Sequence, residues 1–304
     1  MMGATRSKLL LASRCSLYVG LLGLVLALAA ACGPEDNTGG ATPGRSIMPG
    51  TVTTDREAQM QTPTGGQQPT PTPQPAPVQA DPDEGVIGAR PGASTPTDGA
   101  SQAGQHPLGI AQRHDGLVYV PSGYSADRPA GLVLLLHGAG GNAEHGISLL
   151  QPLADDANLI LVAPQSRGST WDVIMSDYGP DVTYIDQALS KTFGRYAVDP
   201  ARVAVGGFSD GASYALSLGL INGDLFTHVI AFSPGFMAPT RQQGKPLIYI
   251  SHGTRDEVLP IDRCSRRIVP QLQRLGYEVN YHEFDGPHTV PGDITREAVG
   301  WFTR

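Results

Sequence analysis

From position 106 onward the chain alternates short, almost uninterrupted apolar runs with longer stretches of helical periodicity, a pattern that few architectures satisfy. The runs at 132–136, 159–163, 203–206, 229–232, 247–251 and 279–283 are apolar or β-branched at nearly every position. A strand with one wet face alternates apolar and polar residues, so continuous runs predict strands covered on both faces. Helical patterns at 144–157, 181–196, 210–222, 263–275 and 294–302 separate or follow them. This alternation predicts an α/β domain over 106–304, with a mainly parallel sheet and helices on both of its faces. Ahead of the buried runs, 108–112 and 117–120 flank His114-Asp115-Gly116 and predict an N-terminal antiparallel hairpin.

Composition explains the rest of the chain. The 38 Gly and 26 Pro, beside only 16% charged and 6% aromatic residues, do not suit one uniform globule of 304 residues. The bias concentrates in 33–105, which includes the run Pro69-Thr70-Pro71-Thr72-Pro73-Gln74-Pro75 and predicts a solvated, partly polyproline-II tether. Residues 1–32 read as an export signal: Arg6, Lys8 and Arg14 precede an apolar run over 17–28, and Ala29, Ala30 and Ala31 are the small residues of a cleavage point. The run falls short of the roughly 20 apolar residues of a transmembrane span, with an uncleaved anchor helix as the alternative. Ala-Ala-Ala-Cys32-Gly resembles a bacterial lipobox, which implies lipidation of Cys32 and a membrane anchor. Ala29 stands where such boxes usually carry Leu, so cleavage and release stays open, and the expected location is the cell envelope or the exterior. The formal net charge of -7 and the absence of a Lys/Arg cluster beyond the extreme N-terminus argue against a nucleic-acid partner. With Cys15 and Cys32 in the leader, Cys264 alone remains in the folded part, so no internal disulfide is expected.

Gly207-Phe208-Ser209-Asp210-Gly211 lies directly between a predicted strand and a predicted helix. In that setting a G-x-S-x-G turn exposes the serine at the carboxyl edge of the sheet, beside a helix N-terminus that favours negative charge. A serine needs a base, and the base needs an orienting acid. Asp256 follows the 247–251 strand, and His288 follows the last one, which places three groups beyond three strand ends. Asp262, Asp285 and Asp293 are the competing acids. His137 and His252 each precede Gly at a strand end, where bracing of the loop backbone is the expected role. Metal-ligand spacings such as His-Glu-x-x-His are absent, and no cofactor is expected.

Over 106–304 the sequence resembles the α/β-hydrolase superfamily, among them the capless carboxylesterases and the phospholipase-like and polyhydroxybutyrate-depolymerase-like esterases. The matching pieces are Leu136-His137-Gly138-Ala139-Gly140-Gly141-Asn142, the Ser209 turn, His252-Gly253 through Asp256 to Pro260, and Gly286-Pro287-His288. The resemblance implies a serine hydrolase acting on small or polymeric esters, with Ser209 as nucleophile, His288 as base and Asp256 as orienting acid. One oxyanion donor is then the Asp210 amide. The second, by resemblance, is the Ala139 amide, with Gly138 and Gly140 as alternatives. The 233–245 connection is too short for a cap domain, so an open site is expected. Trp171 and Phe236, with Tyr178 and Met237 near them, are the candidates for an apolar substrate wall. A peptidase or amidase with the same triad, and a surface binding lipoprotein without catalysis, are the competing readings.

Overall fold

The computed structural model describes residues 78–92 and 102–304. The signal, the candidate lipidation site Cys32 and most of the tether lie outside them. In chain order the elements are β1 (Gly104–Pro107), β2 (Leu117–Val120), β3 (Ala130–Leu136), α1 (Ala143–Ser148), α2 (Gln151–Ala157), β4 (Leu159–Ala163), α3 (Asp172–Met175), α4 (Pro180–Arg195), β5 (Val198–Phe208), α5 (Asp210–Ile221), β6 (His228–Phe232), β7 (Leu247–Gly253), α6 (Ser265–Arg274), β8 (Val279–Phe284) and α7 (Gly292–Phe302).

One eight-stranded sheet runs in the order β1-β2-β4-β3-β5-β6-β7-β8. β1 and β2 pair antiparallel, as do β2 and β4, and the remaining neighbours are parallel. The continuous apolar runs are explained by layers on both faces. In β3, Leu132, Leu134 and Leu136 face one core with α4, α5 and α6, whereas Val133 and Leu135 face a second core with α1, α2 and α7. Side chains alternate along a strand, so a strand between two dry layers is apolar throughout. α5 is the most central helix: all twelve of its residues are buried. The chain leaves β3 toward β4 on one side and toward β5 on the other, and the carboxyl ends at such a reversal frame a crevice.

Four expectations change. The hairpin's first strand is Gly104–Pro107 instead of 108–112. Asp115 ties down the intervening residues by accepting from the amides of Gly109, Ile110 and Ala111, which uses backbone donors that a ladder would need. The single helix expected over 144–157 is two, because Pro152 in the first turn of α2 has no N–H to continue the ladder. Asn142 caps α1 by accepting from the His145 amide at 3.0 Å. β5 begins five residues early, at Val198, with a register irregularity near Ala130.

The fourth change concerns the tether. Residues 78–92 dock on the domain. Val86 and Ile87 are buried in the larger core, and the Ile87 amide donates to Asn222 Oδ1 at 2.8 Å while Asn222 Nδ2 donates to the Gly85 carbonyl at 2.9 Å. Asp186 accepts from the amides of Gly88 and Ala89, and Arg90 pairs with Asp224 at 2.6 Å. A two-residue apolar pair suffices because the end of α5 offers buried polar partners for the incoming backbone. Among the described residues no helix is long and apolar enough to cross a membrane.

Candidate active site

The turn between β5 and α5 places Ser209 at φ 59°, ψ −121°. A positive φ is costly for a residue with a side chain, and surrounding contacts hold it there. The Ser209 amide donates to the Phe232 carbonyl at 2.9 Å, and its own carbonyl accepts from Ala212 and Ser213, each at 3.0 Å. Glycine is required beside it: a Cβ on Gly211 would lie 2.1 Å from the Leu136 carbonyl oxygen, and one on Gly207 2.6 Å from the same atom.

The loops after β7 and β8 bring the other two groups to this turn. Ser209 Oγ lies 2.9 Å from His288 Nε2, and His288 Nδ1 lies 2.5 Å from Asp256 Oδ2. A carboxylate only accepts, so Nδ1 carries the proton and Nε2 is free to take one from the hydroxyl. The Phe208 ring sits 4.6 Å from the imidazole, centroid to centroid.

Asp256 is almost fully buried, yet its oxygens are well supplied with donors. Oδ1 accepts from the amides of Val258 at 2.9 Å and Leu259 at 2.7 Å. Oδ2 takes His288 Nδ1–H and lies 3.2 Å from His252 Nε2. Burial pushes this carboxyl's pKa up, but the hydrogen bonds from His252, His288 and the Leu259 amide outweigh it and hold the group well below the usual carboxylate range. The competing acids are engaged elsewhere or remote: Asp262 pairs with Arg266 at 2.7 Å and Asp285 with Arg255 at 3.2 Å, both largely exposed, and Asp293 lies in the first turn of α7.

His252 is a contributor that motif reading placed only as a backbone brace. Its Nε2 lies 2.8 Å from the Leu259 carbonyl, which can only accept, so that nitrogen carries the proton. Ser265 Oγ is hydrogen-bonded to Nδ1 at 2.7 Å. This fully buried imidazole thus presents its Nε2–H to the Leu259 carbonyl and, at 3.2 Å, to Asp256 Oδ2. The His252-x-x-x-Asp256 spacing after a strand end is the sequence signal for it.

The turn after β3 approaches Ser209 from the other side: a Cβ on Gly138 would sit 3.4 Å from Ser209 Cβ. Gly140 N–H donates to the Ser169 carbonyl at 2.8 Å, which removes it as an oxyanion donor. The amides of Ala139 and Asp210 have no acceptor among the described residues. His137 Nδ1–H donates to the Gly138 carbonyl at 2.8 Å while Nε2 accepts the Ser166 amide at 3.1 Å. Burial lowers this imidazole's pKa and keeps it neutral, as accepting requires.

Trp171 does not line the site. It is fully buried, its indole N–H donates to the His137 carbonyl at 2.8 Å, and its ring stacks on Tyr214 at 5.3 Å. A buried indole needs an acceptor, and the turn after β3 supplies one. Tyr178 is buried as well, with its hydroxyl on the Ala238 carbonyl. Phe236 is half-buried on the loop after β6, where the amides of Gly235 and Phe236 point to Ser213 Oγ, one turn along α5 from Ser209. Among the described residues no three His, Cys, Asp or Glu side chains are grouped as metal ligands.

A family model described as Phospholipase/Carboxylesterase matches residues 181–298, the span that holds Ser209, Asp256 and His288. Feruloyl esterase C of Emericella nidulans is 28% identical over 186 residues, covering 56% of this chain and 68% of that protein. The probable feruloyl esterase C of Aspergillus niger is 28% identical over 151 residues, covering 47% of this chain and 55% of that protein. Among solved structures, esterase PE8 matches with a TM-score of 0.51 at 26% identity, over 61% of this chain and 96% of PE8. The fold is that of the α/β-hydrolases, and the chain is similar to carboxylesterases. In this fold an open groove of about 460 Å³ lies beside His288, lined by Leu149, Leu153, Phe208, Val290, Thr295 and Arg296. It lies between the α1–α2 pair and the start of α7, and no sequence motif marked it, because its walls come from helices that read only as core-covering layers.

Proposed function

We propose that the chain hydrolyses carboxylic esters through an acyl-enzyme on Ser209, outside the cytoplasm. The observation that carries this reading is the continuous hydrogen-bonded path from Ser209 Oγ through His288 to Asp256, beside two unengaged amides. His288 takes the hydroxyl proton as Oγ attacks the ester carbonyl, and the amides of Ala139 and Asp210 hold the developing oxyanion. The imidazolium then protonates the leaving alcohol. Water repeats the sequence on the acyl-enzyme, with Asp256 keeping the imidazole in its working tautomer. The basic start, short apolar run and Ala-Ala-Ala-Cys32 of the N-terminal sequence support export, with lipidation at Cys32 as the means of attachment.

The groove suggests how an ester would lie. His288 delivers its proton to the leaving oxygen, so the alcohol part belongs on the imidazole's side. The groove borders His288 and Phe208 and not the Ala139 turn. It therefore takes the alcohol, and the acyl part extends toward Phe236. An open, half-apolar groove suits a bulky alcohol, and the names of the relatives make feruloyl esters the first acyl class to assay.

The test is a panel of p-nitrophenyl and feruloyl esters together with a fluorophosphonate probe. Turnover of at least one ester and labelling of Ser209 are expected; neither from the folded protein overturns the reading. Leu153→Trp is expected to lower kcat/KM for esters of bulky alcohols by roughly 10-fold or more while leaving the methyl ester of the same acid within about 2-fold. A loss that follows the acid instead of the alcohol contradicts this orientation.

A further inference from the structure

Three consecutive residues in the connection between β4 and α3 reach both halves of the oxyanion site. The Ser169 carbonyl accepts from Gly140 N–H at 2.8 Å. Thr170 Oγ1 donates to Asp210 Oδ2 at 2.7 Å, a buried pair. Trp171 Nε1 donates to the His137 carbonyl at 2.8 Å. The Ala139 amide therefore sits between two anchored positions, 137 and 140, and the Asp210 amide belongs to the residue held by the third. The two amides come from loops 71 residues apart in sequence, and this segment bonds to both.

We propose that Ser169-Thr170-Trp171 is a clamp that sets the two oxyanion donors relative to each other, with Thr170 and Trp171 as positioning residues. The proposal rests on the reading of Ala139 and Asp210 as those donors. The need for such a device is physical. The turn at 137–141 is irregular, with Gly140 in the left-handed region at φ 66°, so no strand or helix ladder fixes the direction of its amides. Oxyanion stabilisation depends on donors already aimed where charge develops, and a donor that must reorient during reaction loses most of that advantage.

The clamp is itself anchored to the helix that carries Asp210. Trp171 stacks on Tyr214 at 5.3 Å and packs against the tilted His137 ring at 4.7 Å. The Tyr214 hydroxyl donates to Asp172 Oδ1 at 2.8 Å. Asp172 and Asp181 close the loop on itself: the Asp172 amide donates to Asp181 Oδ2 at 2.8 Å and the Asp181 amide to Asp172 Oδ2 at 2.9 Å. Asp181 also accepts the Arg167 amide, and Ser166 N–H reaches His137 Nε2. A rigid path thus runs from α5 through Tyr214 and the loop to the turn after β3, and returns through Thr170 to the first residue of α5.

The test compares Thr170→Val, Thr170→Ser and Trp171→Phe with the wild type on an ester substrate, a boronic-acid analogue of the tetrahedral intermediate and the fluorophosphonate probe. Thr170→Val keeps the shape and deletes the donor; Trp171→Phe keeps a stacked ring and deletes the N–H. Each is expected to lower kcat by about 10-fold to 10²-fold, less than the roughly 10²-fold to 10³-fold loss on removing a donor outright because the amide is misaimed and not deleted, with KM little changed and boronate affinity weakened by a similar factor. Thr170→Ser, which keeps the hydroxyl, is expected to return kcat to within a few-fold of wild type. Where Thr170→Val does not fold, Trp171→Phe carries the decision. Wild-type kcat in both folded deletions overturns the clamp, as does a loss of kcat that tracks a fallen thermal midpoint with boronate affinity intact. Failure of the underlying reading shows itself separately, as a wild-type protein that neither labels at Ser209 nor binds the boronate.

Discussion

Replacing Ser209 by alanine is expected to lower kcat for an activated ester by about 10⁶-fold and to remove fluorophosphonate labelling, with the thermal midpoint little changed. The size of the loss follows from the chemistry. Without Oγ no acyl-enzyme forms, and the amides of Ala139 and Asp210 can assist only direct attack by water. Such residual catalysis is on the order of 10³-fold over water in triad enzymes. The fold should survive because Oγ makes no contact that a core needs. Its acceptor, His288 Nε2, lies on a side chain that is 13% exposed, so water can replace the lost donor. The backbone at φ 59° is no more strained for alanine than for serine, and its hydrogen bonds to Phe232, Ala212 and Ser213 are main-chain. Steady-state rates and probe labelling on matched preparations check the prediction. Activity within 10²-fold of wild type would place the nucleophile elsewhere.

The second large effect is expected for Asp256→Asn, a loss of about 10⁴-fold in kcat at pH 7. The cause is the placement of the proton on His288. Asp256 Oδ1 faces two backbone donors, the amides of Val258 and Leu259, which only an oxygen can satisfy. The NH₂ group that the substitution introduces would therefore occupy the Oδ2 position, facing His288 Nδ1 and His252 Nε2. A donor there favours the imidazole with its proton on Nε2, which can no longer accept from Ser209. The variant should recover part of its activity at high pH, where hydroxide competes for the serine proton. Stability shows a further signature. The Asp256 carboxyl lies below its ordinary value of 3.8 in the fold, so it contributes stability that is fully present above that value and lost as pH falls through the folded one. The wild-type thermal midpoint should drop on acidification below about pH 4 more steeply than that of Asp256→Asn. Parallel midpoints in that window would mean that the carboxylate is not held by its four donors.

Much of this site was legible before any coordinate. The turn at Ser209 is legible because a strand-to-helix reversal with a side chain at positive φ leaves no room for Cβ atoms at Gly207 and Gly211, so the chemistry forces a visible glycine pattern. The strands are legible because two dry faces demand an apolar residue at each step, as along Leu132–Leu136. Other features were hidden because they depend on contacts between distant segments. Trp171 reads as a wall residue, since nothing local reveals that its indole meets the His137 carbonyl. Val86 and Ile87 read as part of a low-complexity tether, since the partner that orders them is Asn222 at the end of α5. The split at Pro152 carried a local signal, but the apolar periodicity across it reads as one helix.

The central claim is that Ser209 Oγ is the atom that joins the acyl group and that the amides of Ala139 and Asp210 face the oxygen on which charge develops. The most direct measurement is a crystal structure of the protein after reaction with a fluorophosphonate. The account predicts phosphorus bonded to Ser209 Oγ, one phosphonyl oxygen within about 3 Å of both amide nitrogens, and the leaving-group side turned toward His288 and the groove beside Leu153. Phosphorus on any other side chain, or a phosphonyl oxygen in solvent with both amides turned away, would contradict it.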